Sequence, residues 1–167
     1  MQLHPMPDPA SASQSSDTPS AAPTVRVLTV DDSASMRALL RSALASRGFN
    51  VEQCEDGQEA LEWLARNEVD VIITDINMPR LDGFGLIEKL RTSAMHADRP
   101  ILVLTTESSD EKKQRARQAG ATGWIVKPFD ADKLTTALRR VTHYHRTPVF
   151  QPPRPILTER PPSCAMN

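Results

Sequence analysis

The sequence predicts an α/β fold in which helices cover both faces of a five-stranded parallel sheet. Between about residues 25 and 146, short β-rich apolar runs alternate five times with segments of helical periodicity. Residues 69–74 form a nearly continuous apolar run, which is typical of a strand covered on both faces. Strands that alternate with helices in this way lie parallel and are joined by right-handed crossovers. The predicted architecture is therefore doubly wound.

The predicted strands are short stretches of residues that favour an extended backbone. The first combines three valines with leucine and threonine. The third, fourth and fifth strands are similarly apolar, the second is a short run of mixed polarity, and polar residues follow each strand where the chain turns. The strands are predicted at residues 25–30, 51–54, 69–74, 101–104 and 124–126.

The predicted helices show apolar residues three or four positions apart, so that one face of each helix packs on the sheet. The fourth helix differs, because residues 110–119 are mostly polar and end at Gly120. The apolar faces of the other four helices are Met36, Leu39, Leu40, Ala43 and Leu44; Ala60, Leu61 and Leu64; Phe84, Ile87 and Leu90; and Leu134, Ala137, Leu138 and Val141.

The two ends of the chain differ from its middle in composition. Residues 1–24 are rich in Ser, Pro and Ala, and they cannot bury enough apolar surface to offset their ordering entropy. Residues 147–167 contain many prolines, which disfavour both helix and sheet. We therefore predict one domain at 25–146 between a disordered N-terminal tail and a flexible Pro-rich C-terminal tail.

Composition limits the classes of partner and compartment. The formal net charge is only -1, so a strong electrostatic case for nucleic acid is missing. No apolar run approaches the roughly 20 residues of a membrane helix, and no basic segment followed by an apolar stretch suggests a secretory signal. Cys54 and Cys164 are far apart and are interpreted as free thiols in a reducing compartment. We expect a cytoplasmic protein that neither binds DNA nor inserts into a membrane.

Polar residues follow four of the predicted strands. Asp31 and Asp32 follow the first, Asp75 the third, Thr105 the fourth and Lys127 the fifth. Ligands of open α/β sheets bind beyond the carboxyl ends of the strands, so these side chains should meet in one cleft. A divalent cation such as Mg²⁺ would remove the repulsion between the acids, and the lysine and the hydroxyl would suit phosphate oxygens. The combination predicts phosphoryl-transfer chemistry.

These residues and their neighbours resemble the receiver domain of bacterial two-component response regulators over about residues 25–142. The resemblance is carried by several short motifs, which are specific in combination. The motifs are Val30-Asp31-Asp32-Ser33; Thr74-Asp75-Ile76-Asn77-Met78-Pro79 with Asp82-Gly83; Leu104-Thr105-Thr106; Gly120-Ala121; and Val126-Lys127-Pro128-Phe129.

The resemblance implies a flavodoxin-like (βα)5 fold with strand order 2-1-3-4-5. It implies that Asp75 is the phosphoacceptor, with a sensor histidine kinase as phosphodonor. Mg²⁺ would be held by Asp31, Asp32, Asp75 and the backbone carbonyl of Asn77. Thr105 and Lys127 would contact the phosphoryl oxygens, and the bond between Lys127 and Pro128 would be cis. The sequence most resembles stand-alone chemotaxis regulators, which implies a monomer with a flagellar motor switch as target.

Three further residues receive roles from the resemblance. Asn77 and Glu107 stand where such proteins tune self-dephosphorylation. Trp124 stands where a switch aromatic, usually Tyr or Phe, moves on activation; the alternative is that Trp124 only packs at the sheet edge. The target-binding face would consist of the fourth helix, the fifth strand and the fifth helix. No output domain is predicted after the last helix, so we expect signalling through protein–protein contacts.

Two alternatives to a chemotaxis regulator stay open. One is a phosphorelay intermediate or phosphate sink that passes the group to another histidine. The other is a phosphatase with an aspartyl-phosphate intermediate. Such phosphatases generally use a second acid two residues after the nucleophile, and position 77 is Asn. We therefore expect a signalling switch and not an enzyme acting on outside substrates.

Overall fold

The computed structural model describes residues 24–146, which fold into five strands and five helices in strict alternation. The predictions for both tails concern residues outside this range, apart from Thr24. The strands are β1 Arg26–Val30, β2 Asn50–Cys54, β3 Val71–Thr74, β4 Ile101–Thr105 and β5 Gly123–Val126. The helices are α1 Ala34–Ala45, α2 Gly57–Leu64, α3 Gly83–Arg91, α4 Asp110–Ala119 and α5 Ala131–Arg146.

All five strands are parallel, and their order in the sheet is β2-β1-β3-β4-β5. This is the order that the resemblance implied. β3 and β4 lie inside the sheet and are buried along their whole length, which explains their nearly continuous apolar sequences. β2 and β5 are the edge strands and are only partly buried.

The core lies in two layers, one on each face of the sheet. Successive side chains of a strand point to opposite faces, so Val27 and Leu28 of β1 belong to different layers. The layer with Leu28 includes residues of α2, α3 and α4, whereas the layer with Val27 includes residues of α1 and α5. Within residues 24–146, no helix is long and apolar enough to cross a lipid bilayer.

The helices begin at the edge of the sheet where the strands end, and polar side chains mark these starts. Ser33, Asp56, Asp82 and Ser109 precede α1, α2, α3 and α4, and each accepts a hydrogen bond from a backbone N–H in the first turn. At the far end of α4, Gly120 adopts a left-handed conformation that ends the helix where the sequence predicted.

One predicted core residue of α1 is exposed instead. Leu39 was expected on the apolar face, but 54% of its surface is accessible, whereas Leu40 and Leu44 are fully buried. Leu40 and Leu44 are one turn apart and lie on one line of the helix, and Leu39 is rotated about 100° from that line. The buried stripe of α1 is therefore narrower than the sequence suggested.

Candidate functional site

The polar residues at the strand ends lie side by side, because backbone pairing continues one step past the strands. The Asp31 N–H donates to Cys54, the Asp75 N–H donates to Val30, and the Lys127 N–H donates to Thr105. These bonds fix the neighbouring backbones where the side chains turn into the cleft. The structure thus brings together residues that span nearly the whole domain in sequence.

Three carboxylates form the floor of this cleft. Asp31, Asp32 and Asp75 each offer an oxygen, and the three oxygens lie within 4.8 Å of one another. Asp31 is 2% exposed and Asp75 is 9% exposed, while Asp32 is open to solvent. Buried like charges at this distance repel strongly, so the cluster requires positive charge nearby.

Lys127 supplies part of that charge. Its Nζ donates to Asp31 Oδ2 at 2.7 Å and to Asp75 Oδ2 at 3.0 Å. Burial works against the charged ammonium, but the hydrogen bonds that Lys127 donates to the two carboxylates outweigh this effect and raise the pKa of Lys127. The peptide bond between Lys127 and Pro128 is cis, as the resemblance implied.

Backbone N–H groups hold the other oxygens of the two buried acids. The Ser33 N–H donates to Asp31 Oδ1 at 2.9 Å, and the Ile76 N–H donates to Asp75 Oδ1 at 2.6 Å. Both carboxylates are therefore fixed in orientation. Clustered carboxylate oxygens are hard ligands of the kind that Mg²⁺ and Ca²⁺ prefer, and no soft sulfur or imidazole ligand belongs to the cluster. The donor set fits Mg²⁺.

Gly83 explains why the chain can pass so close to Asp75. A Cβ atom at position 83 would overlap the backbone carbonyl oxygen of Asp75, so only glycine fits there. The Gly83 N–H donates to the Ile76 carbonyl at 2.9 Å and closes the loop between β3 and α3. This gives a physical reason for the Asp82-Gly83 motif in the sequence.

Glu107 connects several of the predicted residues beside the cleft. Its N–H donates to Oγ1 of the buried Thr105 at 3.3 Å, and its carboxylate accepts from Asn77 Nδ2 at 3.3 Å. Lys112 lies 2.7 Å from the same carboxylate oxygen and is the main reason that the pKa of Glu107 is lowered, with Asn77 adding to the effect. The indole N–H of Trp124 donates to the Glu107 backbone carbonyl at 3.2 Å.

Several residues near the site were given no role in it from the sequence. Arg37 donates to the backbone carbonyl of Asp31 at 2.7 Å, and Lys112 pairs with Glu107 as described above. The buried Asp56 forms an ion pair with Arg80, which follows the β3 end. The Asp-Gly sequence before α2 signals a helix start, but no local pattern links Asp56 to Arg80 across 24 positions.

A family model described as the response regulator receiver domain matches residues 27–139. The chain belongs to the response regulator receiver family. Receiver domains are signalling switches of two-component systems, and they take phosphoryl groups from sensor histidine kinases. The site described above lies within the matched residues.

Similar receiver proteins differ in size and context. Response regulator MprA of Mycobacterium sp. (strain KMS) is 38% identical over 134 residues, which are 80% of this chain and 57% of the relative. The chain thus spans little more than half the length of this curated relative. Chemotaxis protein CheY4 of Vibrio cholerae is 45% identical, with a TM-score of 0.68, covering 71% of this chain and 98% of that structure.

A second receiver structure contains a metal. The receiver domain of a sensor histidine kinase from Pseudomonas aeruginosa PAO1 is 27% identical, with a TM-score of 0.68. The comparison covers 72% of this chain and 98% of that one, and a magnesium ion is coordinated in its active-site cleft.

Proposed function

We propose that this chain is a response regulator that is phosphorylated on Asp75 by a sensor histidine kinase in the presence of Mg²⁺. The observation that carries the proposal is the position of Lys127 Nζ, which bridges Asp31 and Asp75 beside the exposed Asp32. A nucleophilic carboxylate, further acids for a cation and a lysine for phosphate oxygens are the parts that phosphoryl transfer requires. The functional domain would be residues 25–146, in the cytoplasm and monomeric.

In the proposed reaction, a carboxylate oxygen of Asp75 attacks the phosphorus of a phosphohistidine. A phosphorus–oxygen bond forms as the phosphorus–nitrogen bond breaks, and the released imidazole nitrogen takes up a proton from solvent water. Bound Mg²⁺ would neutralise charge on the acids and on the transferred group. Asp31, Asp32 and the Asn77 carbonyl would hold the ion. Lys127 would move from the carboxylates to a phosphoryl oxygen, and the Thr105 hydroxyl would donate to another.

The signal would pass from Thr105 through Glu107 to Trp124. These residues are joined by hydrogen bonds from the Glu107 N–H and the Trp124 indole. A shift of Thr105 toward the phosphoryl group would break its bond to Glu107 and change the position of Trp124. Such a switch needs a difference of only a few kcal/mol in partner affinity between two states.

The output surface would be the face formed by α4, β5 and α5. A groove of about 490 Å³ lies between β5 and α5, and Trp124, Lys133 and Arg140 are among its lining residues. Lys113 and Arg117 of α4 line a second groove, and Trp124 also lines it. Basic residues around partly apolar grooves suit an acidic amphipathic peptide. We propose a flagellar motor switch as the partner, because CheY4 is 45% identical and is a chemotaxis protein.

The decisive experiment is the intact mass after treatment with acetyl phosphate, with and without Mg²⁺. The native protein should gain one phosphoryl group only with Mg²⁺, and Asp75→Ala should gain none. Asp98→Ala is the matched control, because Asp98 is an exposed aspartate outside the cleft, and it should be labelled like the native protein. Labelling that persists in Asp75→Ala, or no labelling with Mg²⁺, would contradict the proposal.

A phosphorelay intermediate is the second candidate, favoured by the likeness to receiver domains of sensor histidine kinases. The phosphorylated protein should bind a motor-switch peptide if it is a chemotaxis regulator. A relay protein should instead pass its phosphoryl group to a histidine phosphotransfer domain. Turnover of small phosphoesters would indicate a phosphatase, but Asn77 provides no general acid at that position.

A further inference from the structure

The loop between β3 and α3, residues 76–82, carries Asn77 beside the acidic cluster. On one side, the Asn77 amide donates to the Glu107 carboxylate. On the other side, the loop contacts the start of α2, where the Gly57 N–H donates to the Leu81 carbonyl at 3.2 Å. A Cβ at Gly57 would lie 2.7 Å from that carbonyl oxygen, so the two segments are in close contact. The loop is thus anchored at both sides.

An ion pair strengthens the anchor on the α2 side. The Asp56 side chain is 1% exposed, and its Oδ1 accepts from the N–H groups of Gln58 and Glu59 at 2.9 and 3.0 Å. Its Oδ2 accepts from the guanidinium of Arg80, which also approaches Glu55 at 3.4 Å. One buried carboxylate therefore caps α2 and holds the loop.

Arg80 adopts an unusual backbone conformation to make this contact. Its φ is +61°, in the left-handed region that glycine and asparagine occupy more readily. Glycine and asparagine have no guanidinium group, so neither could form the ion pair with Asp56. A strained backbone kept for one side-chain contact points to a role for that contact.

We propose that Asp56 and Arg80 are positioning residues, whose ion pair holds the β3–α3 loop so that the Asn77 carbonyl can join the three carboxylates around Mg²⁺. Asn77 is three positions from Arg80. Between them, Met78 packs on the core and Pro79 has a restricted φ. Displacement of Arg80 is therefore transmitted to Asn77 through a short, stiff segment. This inference rests on the proposed Mg²⁺ site and adds residues that support its ligands.

Calorimetric titration with Mg²⁺ and thermal unfolding without metal test the proposal together. Arg80→Asn removes the guanidinium but tolerates the left-handed backbone, so the variant should fold and its unfolding temperature should fall only by the contribution of the lost ion pair. Its Mg²⁺ affinity should fall about tenfold, the lower range for partners that orient metal ligands. Asp56→Asn keeps a helix-capping side chain and should lose affinity to a similar extent. Arg80→Lys, which retains a positive charge for Asp56, should recover part of the affinity.

A double variant and a surface control separate the outcomes. Arg80→Asn combined with Asp56→Asn should bind Mg²⁺ about as weakly as either single variant, because both remove the same contact. Arg26→Gln is the surface control. It removes a comparable half-exposed arginine that pairs with Glu68 and stands at the first residue of β1, away from the carboxyl ends of the strands. The Mg²⁺ affinity of this variant should equal that of the native protein. Native Mg²⁺ affinity in the Arg80 and Asp56 variants, or additive losses, would overturn this inference alone. Failure of the native protein to bind Mg²⁺ would overturn the proposed metal site itself.

Discussion

The indole N–H of Trp124 donates a 3.2 Å hydrogen bond to the backbone carbonyl of Glu107, which joins edge strand β5 to the loop between β4 and α4. Phe at this position has no hydrogen-bond donor. Tyr has a hydroxyl donor, but it lies at a different place from the indole nitrogen and could not make the same bond. Trp124 is also packed against the core layer that contains Leu28. The two interpretations of Trp124 from the sequence, switch aromatic and sheet-edge packing, are therefore compatible in this structure.

Replacement of Trp124 by Phe should loosen the loop between β4 and α4. The variant keeps an aromatic ring but loses the N–H···O bond, which should lower the free energy of unfolding by about 1 kcal/mol. Amide hydrogen exchange at residues 106–109 should become faster than in the native protein. Trp63→Phe is the control, because Trp63 packs on the core from α2 and should leave exchange in that loop unchanged. Uniformly faster exchange throughout the domain would contradict a local role.

Adjacent leucines of α1 should differ sharply in their contribution to stability. Leu40 is buried and Leu39 is 54% exposed, while both substitutions to Ala alter helix propensity equally. Leu40→Ala should lower the free energy of unfolding by about 2–5 kcal/mol, and Leu39→Ala should change it by no more than about 0.5 kcal/mol. Urea denaturation measures both values, and similar losses would contradict the difference in burial between Leu39 and Leu40.

The site could be predicted where it depends on the order of elements. Asp31, Asp75 and Lys127 each follow a predicted parallel strand, and the carboxyl ends of such strands share one edge of the sheet. The predicted ends of the strands were therefore enough to indicate which side chains would meet. The extent of each apolar face was harder to predict, because the exposure of Leu39 depends on how widely α1 contacts its neighbours.

Contacts that depend on loop conformation could not be predicted. Arg80 reaches Asp56 because its backbone is left-handed, and no sequence periodicity marks such a residue. The acceptor of the Trp124 N–H is a backbone carbonyl, which every residue possesses, so the sequence cannot single out Glu107. Loops combine individual φ and ψ values, whereas strands and helices repeat theirs.

Acid should reduce stability partly through Asp56. Burial alone would raise the pKa of Asp56, but the Glu59 N–H and the Arg80 guanidinium together lower it below the ordinary value of 3.8. A depressed folded-state pKa contributes stability that is present above pH 3.8 and lost as the pH falls through the folded-state pKa. The native protein should therefore be more stable than Asp56→Asn at neutral pH, and the difference should shrink below about pH 3.8. Urea unfolding across this range measures it, and a constant difference would argue against the ion pair as its source.

Removal of the Lys127 charge should strengthen binding of Mg²⁺. In the structure, the Lys127 ammonium lies 2.7 Å from Asp31 and 3.0 Å from Asp75, so it neutralises the oxygens that would hold the metal. Two unit charges about 4 Å apart interact by roughly 4 kcal/mol at an effective dielectric constant near 20. Lys127→Met relieves repulsion toward a divalent ion, and it should bind Mg²⁺ at least about tenfold more tightly, because every 1.4 kcal/mol is a factor of ten.

The same variant should be less stable without metal and should gain more from its addition. Without Lys127, the buried carboxylates repel one another, which lowers the unfolding temperature of the metal-free protein. Mg²⁺ should restore that loss, so the rise in unfolding temperature on addition of metal should exceed that of the native protein. Lys89→Met is the matched control, because Lys89 is exposed on α3. Calorimetric titration that finds equal or weaker Mg²⁺ binding in Lys127→Met would mean that the lysine does not compete with a cation for these oxygens.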